Sequence, residues 1–503
     1  MERRWIGLTF LSAAVSLVII DVTIINVAVP AIVVTLDASA ATTQWIQEAY
    51  TLTLAALLIV AGRTADAIGR RRVLVTGLVI FTAASVLAAT APNGPLLVAA
   101  RVLQGVGGAA ILPSTLSLIN ATFRGPQRAT AFAVWGSTIG AMAAVGPLLG
   151  GWLTTELSWR WAFWINLVLG PVAIVGSLLF VAESRQRDAS RRLDLPGVLL
   201  SAVAWLGLVF GLIEGRTLGW WTARDGDGLS PVPASFAVAL IALVAFVAWQ
   251  NHVLRTGRQP LLDLRLFSVP AFARGNAIVF IVALGQLGLL FVLPLWLQGT
   301  LGYTATGTGL LLVPIAVGAF LAAATTPLLA QARGTTWVVR FGLVTEIAGL
   351  AWLAAVASPD VGGWTLVPAL AIYGFGVGTA DAQLPGLVLR DIPVDRSGQG
   401  SGVQSTVQEL GSAMGIAVIG TVLFTSLAAQ LERTLDPSTV TLVVESAGTA
   451  IADLDPDAAA AARDAFSTAT THAALAGAAF LAVGLLATAS LRSRREADEY
   501  EPA

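Results

Sequence analysis

Three ionisable residues near the N-terminus, Asp21, Glu48 and Arg101, stand inside stretches that are otherwise apolar enough to cross a bilayer. Charge in hydrocarbon is costly, so a charged residue within a spanning segment marks a functional position by default. At 1.5 Å of rise per residue Asp21 lies roughly 23 Å above the start of its segment, while Glu48 and Arg101 enter from the other side, about 5–10 Å in. Two carboxylates and one guanidinium thus share a level, where mutual pairing is the least costly arrangement. The chemistry of such a set is proton transfer. Desolvation favours a protonated carboxyl and an adjacent guanidinium favours an ionised one, so moving the arginine or wetting the cavity switches proton affinity. Asp21 is the first choice for that switch, against a permanent ion pair with Arg101 that merely holds a bundle together. Glu48 stands near enough to the expected surface for solvation to compete with coupling.

A second set lies far along the chain. Asp381 precedes the end of one apolar segment and Glu409 follows the start of the next, each about 10 Å from the side where arginines collect. They would attract a cationic substrate entering from that side, or one of them would pair with Arg390. Glu346, which has a neighbouring helix to face, and Glu214, beside Arg216, are weaker candidates. His252 and His472 fall at segment ends and support no proton relay. Most tryptophans sit near segment ends, where an amphipathic ring is favoured. Trp135, Trp205 and Trp352 lie deeper, either packed or facing a cavity.

The elements that must position these residues are long apolar segments. The chain is 56% apolar and 12% charged, with a mean hydropathy of +0.79, which excludes an ordinary soluble domain. Roughly 20 apolar residues span a bilayer, and fourteen such segments are read near 6–30, 42–61, 73–91, 95–119, 129–153, 162–182, 196–215, 233–251, 272–296, 306–330, 337–357, 363–387, 402–427 and 469–490. All 29 basic residues are arginine. They collect in alternate connections, including Gly62-Arg63-Thr64-Ala65-Asp66-Ala67-Ile68-Gly69-Arg70-Arg71-Arg72, which the positive-inside rule places in the cytoplasm with both termini. The first apolar stretch is too long for a signal peptide and carries an internal aspartate, so cleavage is not expected. The chain has no cysteine, which excludes disulfides and thiolate metal sites. No metal-ligand cluster, Cys/His pair or phosphate-binding loop is present, so neither a cofactor, a catalytic residue nor ATP-driven transport is expected. Net charge is near zero with no basic patch that would suggest nucleic acid.

The spacing of Gly62, Asp66, Gly69 and Arg70 to Arg72 resembles the signature loop between the second and third helices of the major facilitator superfamily. Asp21 to Pro30, which includes Asn26, resembles the first-helix motif of its fourteen-span drug:proton antiporters, the EmrB/QacA type. Arg101 to Gly108, which includes Gln104, is similar to their fourth-helix motif. Gly146-Pro147-Leu148-Leu149-Gly150-Gly151 looks like their fifth-helix antiporter motif, and Trp159 to Asn166 matches the start of their sixth helix. Two departures stand out: Glu48 replaces the usual aspartate or asparagine, and Glu409 stands where glutamine is common.

The resemblance implies an all-α polytopic membrane protein of the major facilitator fold. Two six-helix bundles, 1–182 and 272–491, would flank two additional helices within 183–271. An outer loop at 428–468, with room for a short surface helix, and a cytoplasmic tail at 492–503 complete the expectation. The resemblance assigns Arg101 to proton transfer and Asp66 to holding the cytoplasmic side closed. Gly62, Gly69 and Arg70 to Arg72 would form the turn and its anchor, and Gly146, Pro147, Gly150 and Gly151 a pivot. Asn26, Gln104, Trp135, Asp381 and Glu409 are expected around the substrate. The implied function is proton-coupled export of an antibiotic or other amphiphile through the cytoplasmic membrane, without an obligate protein partner. The alanine-, glycine- and arginine-rich composition suggests a high-GC organism, where similar exporters protect producers of puromycin, lincomycin or methylenomycin. Export of a lipid or cell-envelope metabolite is the alternative, and a polytopic membrane enzyme is the least supported class.

Overall fold

The computed structural model describes residues 3–36, 40–185, 194–215, 218–223, 228–258, 260–393, 396–446 and 448–490. The tail at 492–503 and Arg216 lie outside them. In chain order the α-helices are α1 (Arg3–Leu36), α2 (Ala40–Ile68), α3 (Arg70–Ala89), α4 (Gly94–Thr122), α5 (Pro126–Glu156), α6 (Trp161–Phe180), α7 (Leu195–Glu214), α8 (Pro231–Arg255), α9 (Pro270–Gly299), α10 (Ala305–Arg333), α11 (Thr335–Val356), α12 (Gly363–Val388), α13 (Ser397–Leu431), α14 (Pro437–Glu445) and α15 (Pro456–Ala487). Their starts follow local chemistry. Asn93, Asp194, Ser230, Asp436 and Asp455 each cap a helix with a side-chain oxygen, and a proline sits within its first two positions, where its missing N–H costs nothing.

Among the described residues twelve helices are long and apolar enough to cross a membrane. Helix α10 is bent by 44° and would make a thirteenth, and α7 is apolar over the shorter stretch Leu195–Leu208. Prolines 314 and 327 lie inside α10, and each removes a ladder hydrogen bond, which accounts for a bend. Within 428–468, α13 runs to Leu431, α14 is a short helix, and 456–468 form the first turns of α15. Alanine-rich sequence there is strongly helix-forming, and the Asp455 cap starts the helix early.

Helix contacts repeat along the chain. Helix α1 packs on α4, α5 and α6, α4 on α2 and α3, and α3 on α6; correspondingly α9 packs on α12, α13 and α15, α12 on α10 and α11, and α11 on α15. The two sets meet where α5 lies along α10 and α2 along α13, with α12 on α5 and α13 on α4 beside them. Helices α7 and α8 pair with each other, and α7 leans on α2 and α13.

Candidate functional site

Asp21 of α1 and Arg101 of α4, eighty residues apart, form a buried ion pair through Arg101 Nη1. Arg101 also donates from Nη1 to Gln104 Oε1 at 2.9 Å and from Nε to the Ile46 carbonyl of α2 at 3.1 Å. Its guanidinium lies 4.5 Å from the centroid of the Tyr50 ring, within cation–π range. The Asp21 Oδ1 atom accepts from Gln104 Nε2 and from Asn166 Nδ2 of α6, each at 2.9 Å. Both amides also donate to Ser85 Oγ of α3, at 2.9 and 3.1 Å. Five helices thus hold one carboxylate, and Asp21, Arg101, Gln104, Asn166 and Ser85 are all buried. The three donors on the Asp21 carboxylate offset part of the cost of burying it. Among the described residues the Tyr50 hydroxyl and Asn166 Oδ1 have no hydrogen-bond partner.

At the arginine-rich end Asp66 of α2 is fully buried and reaches across to α13. Its Oδ1 accepts from the backbone N–H of Gly398 at 2.9 Å and its Oδ2 from that of Gln399 at 2.8 Å. A carboxylate on the first turn of a helix satisfies orphan N–H groups and meets the positive end of the helix dipole. Arg70 grips the same carboxylate from Nε and Nη2, at 3.1 and 2.7 Å, and Ser184 Oγ from Nη1 at 2.9 Å. Gly69, at φ 122°, lets the chain turn between α2 and α3 in a conformation that L side chains avoid. The Arg71 N–H donates to Glu183 Oε1 at 3.1 Å and its side chain to the Val181 carbonyl at 3.1 Å, whereas exposed Arg72 only approaches Glu183, at 3.8 Å. Further bonds join the same two sets of helices at this end: Ser401 Oγ to the Pro113 carbonyl at 2.9 Å, Gln383 Nε2 to that of Ala129 at 3.0 Å and Arg128 to that of Gly386 at 3.4 Å.

A third cluster joins α9, α11 and α12. Gln286 Nε2 lies 3.1 Å from both oxygens of buried Glu346 and 3.3 Å from Asp381 Oδ1. The Tyr373 hydroxyl donates to the Gln286 carbonyl at 3.1 Å.

A family model described as the Major Facilitator Superfamily matches residues 11–416. The chain belongs to the major facilitator superfamily. Like other members it is a multi-pass membrane transporter of small molecules and not an enzyme. It is 35% identical over 436 residues to the puromycin resistance protein pur8 of Streptomyces alboniger, covering 85% of this chain and 84% of that one. It is 34% identical over 445 residues to the probable actinorhodin transporter of Streptomyces coelicolor, covering 86% and 75%. In fold it is similar to the human organic anion transporter MFSD10 (TETRAN), with a TM-score of 0.62 at 13% identity over 96% of this chain and 100% of that one.

In this major facilitator protein Asp21 and Arg101 share a level, as their helical depths require. Glu48 and Asn26 lie on α2 and α1, but their side chains are outside the described residues. Other expectations need correction. Gln104 does not face open space: it is fully buried and bonded to Asp21, Arg101 and Ser85. Trp135 is buried, its indole N–H on Thr115 Oγ1 at 3.2 Å, so it packs α5 on α4. Trp352 is exposed rather than packed. Arg390 pairs with its neighbour Asp391 at 3.1 Å rather than with Asp381 or Glu409, because adjacency in sequence makes that contact cheaper in entropy. Helix α13 starts at Ser397, so Glu409 lies about 18 Å along it. Glu346, ranked low, is fully buried and shares Gln286 with Asp381.

Ser85, Tyr50 and Gln286 were missed as site residues, and Asn166 entered only as the end of a motif. Gln286 and Asn166 are lone polar residues in apolar segments, the signal that would have found them; Tyr50 and Ser85 have polar neighbours in sequence and carry no such signal.

Gly146 and Gly150 of α5 sit on α1 at Thr23 and Ile24, next to Asp21, with Pro147 within the same helix. A Cβ on Gly146 would collide with the Thr23 hydroxyl and lie 2.8 Å from Thr23 Cβ. Gly146→Val is therefore expected to reduce substrate efflux by about tenfold, and Thr23→Ala in the same chain to restore part of it, since contacting residues couple. Efflux rates of the two single variants and the double variant check this; a double variant no better than Gly146→Val would contradict it.

Proposed function

We propose that this transporter is a proton-coupled antiporter that exports an antibiotic or other amphiphilic organic compound across the cytoplasmic membrane and so confers resistance. The carrying observation is the Asp21–Arg101 pair, a buried carboxylate whose one basic contact in the network comes from a different helix. Any motion of α1 against α4 that separates the pair leaves the carboxylate desolvated without its counter-charge, and uptake of a proton then neutralises it. Export rather than import is supported by relatives that are efflux proteins, which include the multidrug efflux pump LfrA of Mycolicibacterium smegmatis at 33% identity.

Alternating access would rock residues 1–182 against 272–491, with α7 and α8 as the additional helices of 183–271. The repeated contact pattern supports that division. Pairing of α7 with α8 supports α7 as a span, which with α10 gives fourteen. The end latched by Asp66 would be cytoplasmic, together with both termini, since arginines mark that side. Gly62, Asp66, Gly69 and Arg70 to Arg72 form the gate, Gly146, Pro147, Gly150 and Gly151 the pivot, and Asp381 and Glu409 bias the cavity towards cations. A proton falling through 100 mV supplies about 2.3 kcal/mol and one pH unit about 1.4, enough for a substrate gradient of several hundredfold.

A panel of cationic, neutral and zwitterionic antibiotics in an efflux-deficient host tests this reading. Resistance to cationic amphiphiles is expected, with a lowered cation preference in Asp381→Asn; uniform failure across the panel would overturn it. The second reading, export of a lipid or envelope metabolite, is favoured by one feature. An apolar cavity of about 490 Å³ opens between α2, α4 and α7, lined among others by Trp45, Leu52, Val98, Val102, Leu206 and Phe210. Stimulated release of membrane lipid with no antibiotic resistance would support that reading instead.

A further inference from the structure

The first turn of α13 is held from two directions. One grip is Asp66, on the backbone N–H groups of Gly398 and Gln399. The other comes from the segment that leads from α8 into α9. The Asp263 N–H donates to Gln399 Oε1 at 3.2 Å, and Arg396, immediately before α13, donates to Asp263 Oδ2 at 2.7 Å. Gln399 therefore meets both grips, Asp66 with its backbone and the α8–α9 segment with its side chain.

That second grip continues into the α7–α8 pair. The Leu262 N–H donates to Gln250 Oε1 of α8 at 3.2 Å, and Gln250 Nε2 donates to Asp194 Oδ2 at 2.9 Å. Asp194 is the cap of α7, accepting from Gly197 N–H at 3.1 Å and from the Trp249 indole at 2.7 Å. Gln250 and Gln399 are buried, as is Asp263. Burial pushes the Asp263 carboxyl up, but hydrogen bonds from Arg265 and the charge of Arg396 outweigh it and hold the group below the ordinary carboxylate value. It is thus an anionic anchor at the membrane margin. Buried amides with both ends bonded fix geometry, because breaking one end strands a polar group.

We infer that Asp263 and Gln250 are positioning residues through which the α7–α8 pair braces the first turn of α13 onto Asp66, so that the additional helices set how readily the arginine-rich end opens. The inference rests on the reading of that end as a gate. Removing the brace loosens Gln399, and through it the Asp66 contact, without touching the Asp21–Arg101 network.

The chain has no cysteine, so spin labels can be placed at Gln127→Cys and Asp391→Cys, both exposed and on opposite sides of the gate. Distance distributions in nanodiscs are then measured for the parent, Asp66→Asn, Asp263→Asn, Gln250→Leu and Arg396→Gln. Arg396 is half-exposed and its variant tolerates the change of charge, which covers the case of Gln250→Leu failing to fold. Each brace variant is expected to raise the open-to-closed ratio about tenfold. Combining one with Asp66→Asn is expected to give less than the product of the two effects, because both act on one turn. Arg396→Lys is expected to recover the parent distribution in part. If Asp66→Asn opens the gate while Arg396→Gln and Asp263→Asn leave the distribution unchanged, the brace is overturned. If Asp66→Asn does not open it either, the gate reading fails instead.

Discussion

Proton-driven substrate export is expected to fall at least a hundredfold in Asp21→Asn, while the protein still folds and reaches the membrane. Asparagine keeps the shape of the side chain and an acceptor oxygen for the amides of Gln104 and Asn166. Arg101 retains the Ile46 carbonyl, Gln104 Oε1 and the Tyr50 ring. What disappears is the carboxyl that the proposed coupling requires to bind and release a proton. Arg101→Ala should fail by the opposite route: a buried carboxylate without its guanidinium takes up a proton and keeps it. A hundredfold loss corresponds to about 2.7 kcal/mol of barrier. Substrate-induced proton release from energised inverted vesicles measures the effect, and substrate exchange without a gradient should survive in Asp21→Asn. Normal drug-dependent proton movement in that variant would remove Asp21 from the coupling role.

Gly62→Leu is expected to abolish net export just as severely, but with substrate binding intact. A Cβ at position 62 would run into the Gly398 backbone carbonyl and lie 3.2 Å from the Gly402 Cα. Those are backbone atoms of α13, so no rotamer change relieves the clash. The side chain acts as a wedge, and α2 can no longer lie against α13 at the end where Asp66 meets the Gly398 and Gln399 N–H groups. The protein should accumulate with that end open, whereas Asp66→Asn, which loses charge but adds no bulk, should shift the balance only partly. Ligand affinity and cross-linking between cysteines placed across the gate would separate these outcomes. Wild-type closure in Gly62→Leu would contradict the wedge, and wild-type export with that end held open would show that the α2–α13 contact is not needed for transport.

Much of this was legible in the residues because membrane physics is restrictive. Asp21 and Arg101 could be matched from helical depth alone, since a lone charge in hydrocarbon has few partners. The spanning helices followed from segment length, while their grouping into two bundles came with the family resemblance. Helix α13 begins earlier than the apolar run at 402–427 because Ser397, Gly398, Gln399 and Gly400 read as a polar loop, yet they form its first turn, with Asp66 accepting from the Gly398 and Gln399 N–H groups. Glu346 was undervalued for a related reason: its neighbours in sequence say nothing about Gln286, sixty residues away, which shares it with Asp381. Gln104 and Trp135 sit on the expected helices, but the face each presents depends on how α4 rotates against α1 and α5, and glycine-rich surfaces leave that rotation open to tertiary packing.

Two seams, α5 along α10 and α2 along α13, join the halves, and among the described residues α7 leans on the second. One seam is therefore sheltered by the protein's own chain, and the other is left to the lipid. Bilayer thickness and lateral pressure would reach this transporter chiefly through α5 and α10, so two membranes of different composition could run the same chemistry at different rates without altering a single residue near the proton.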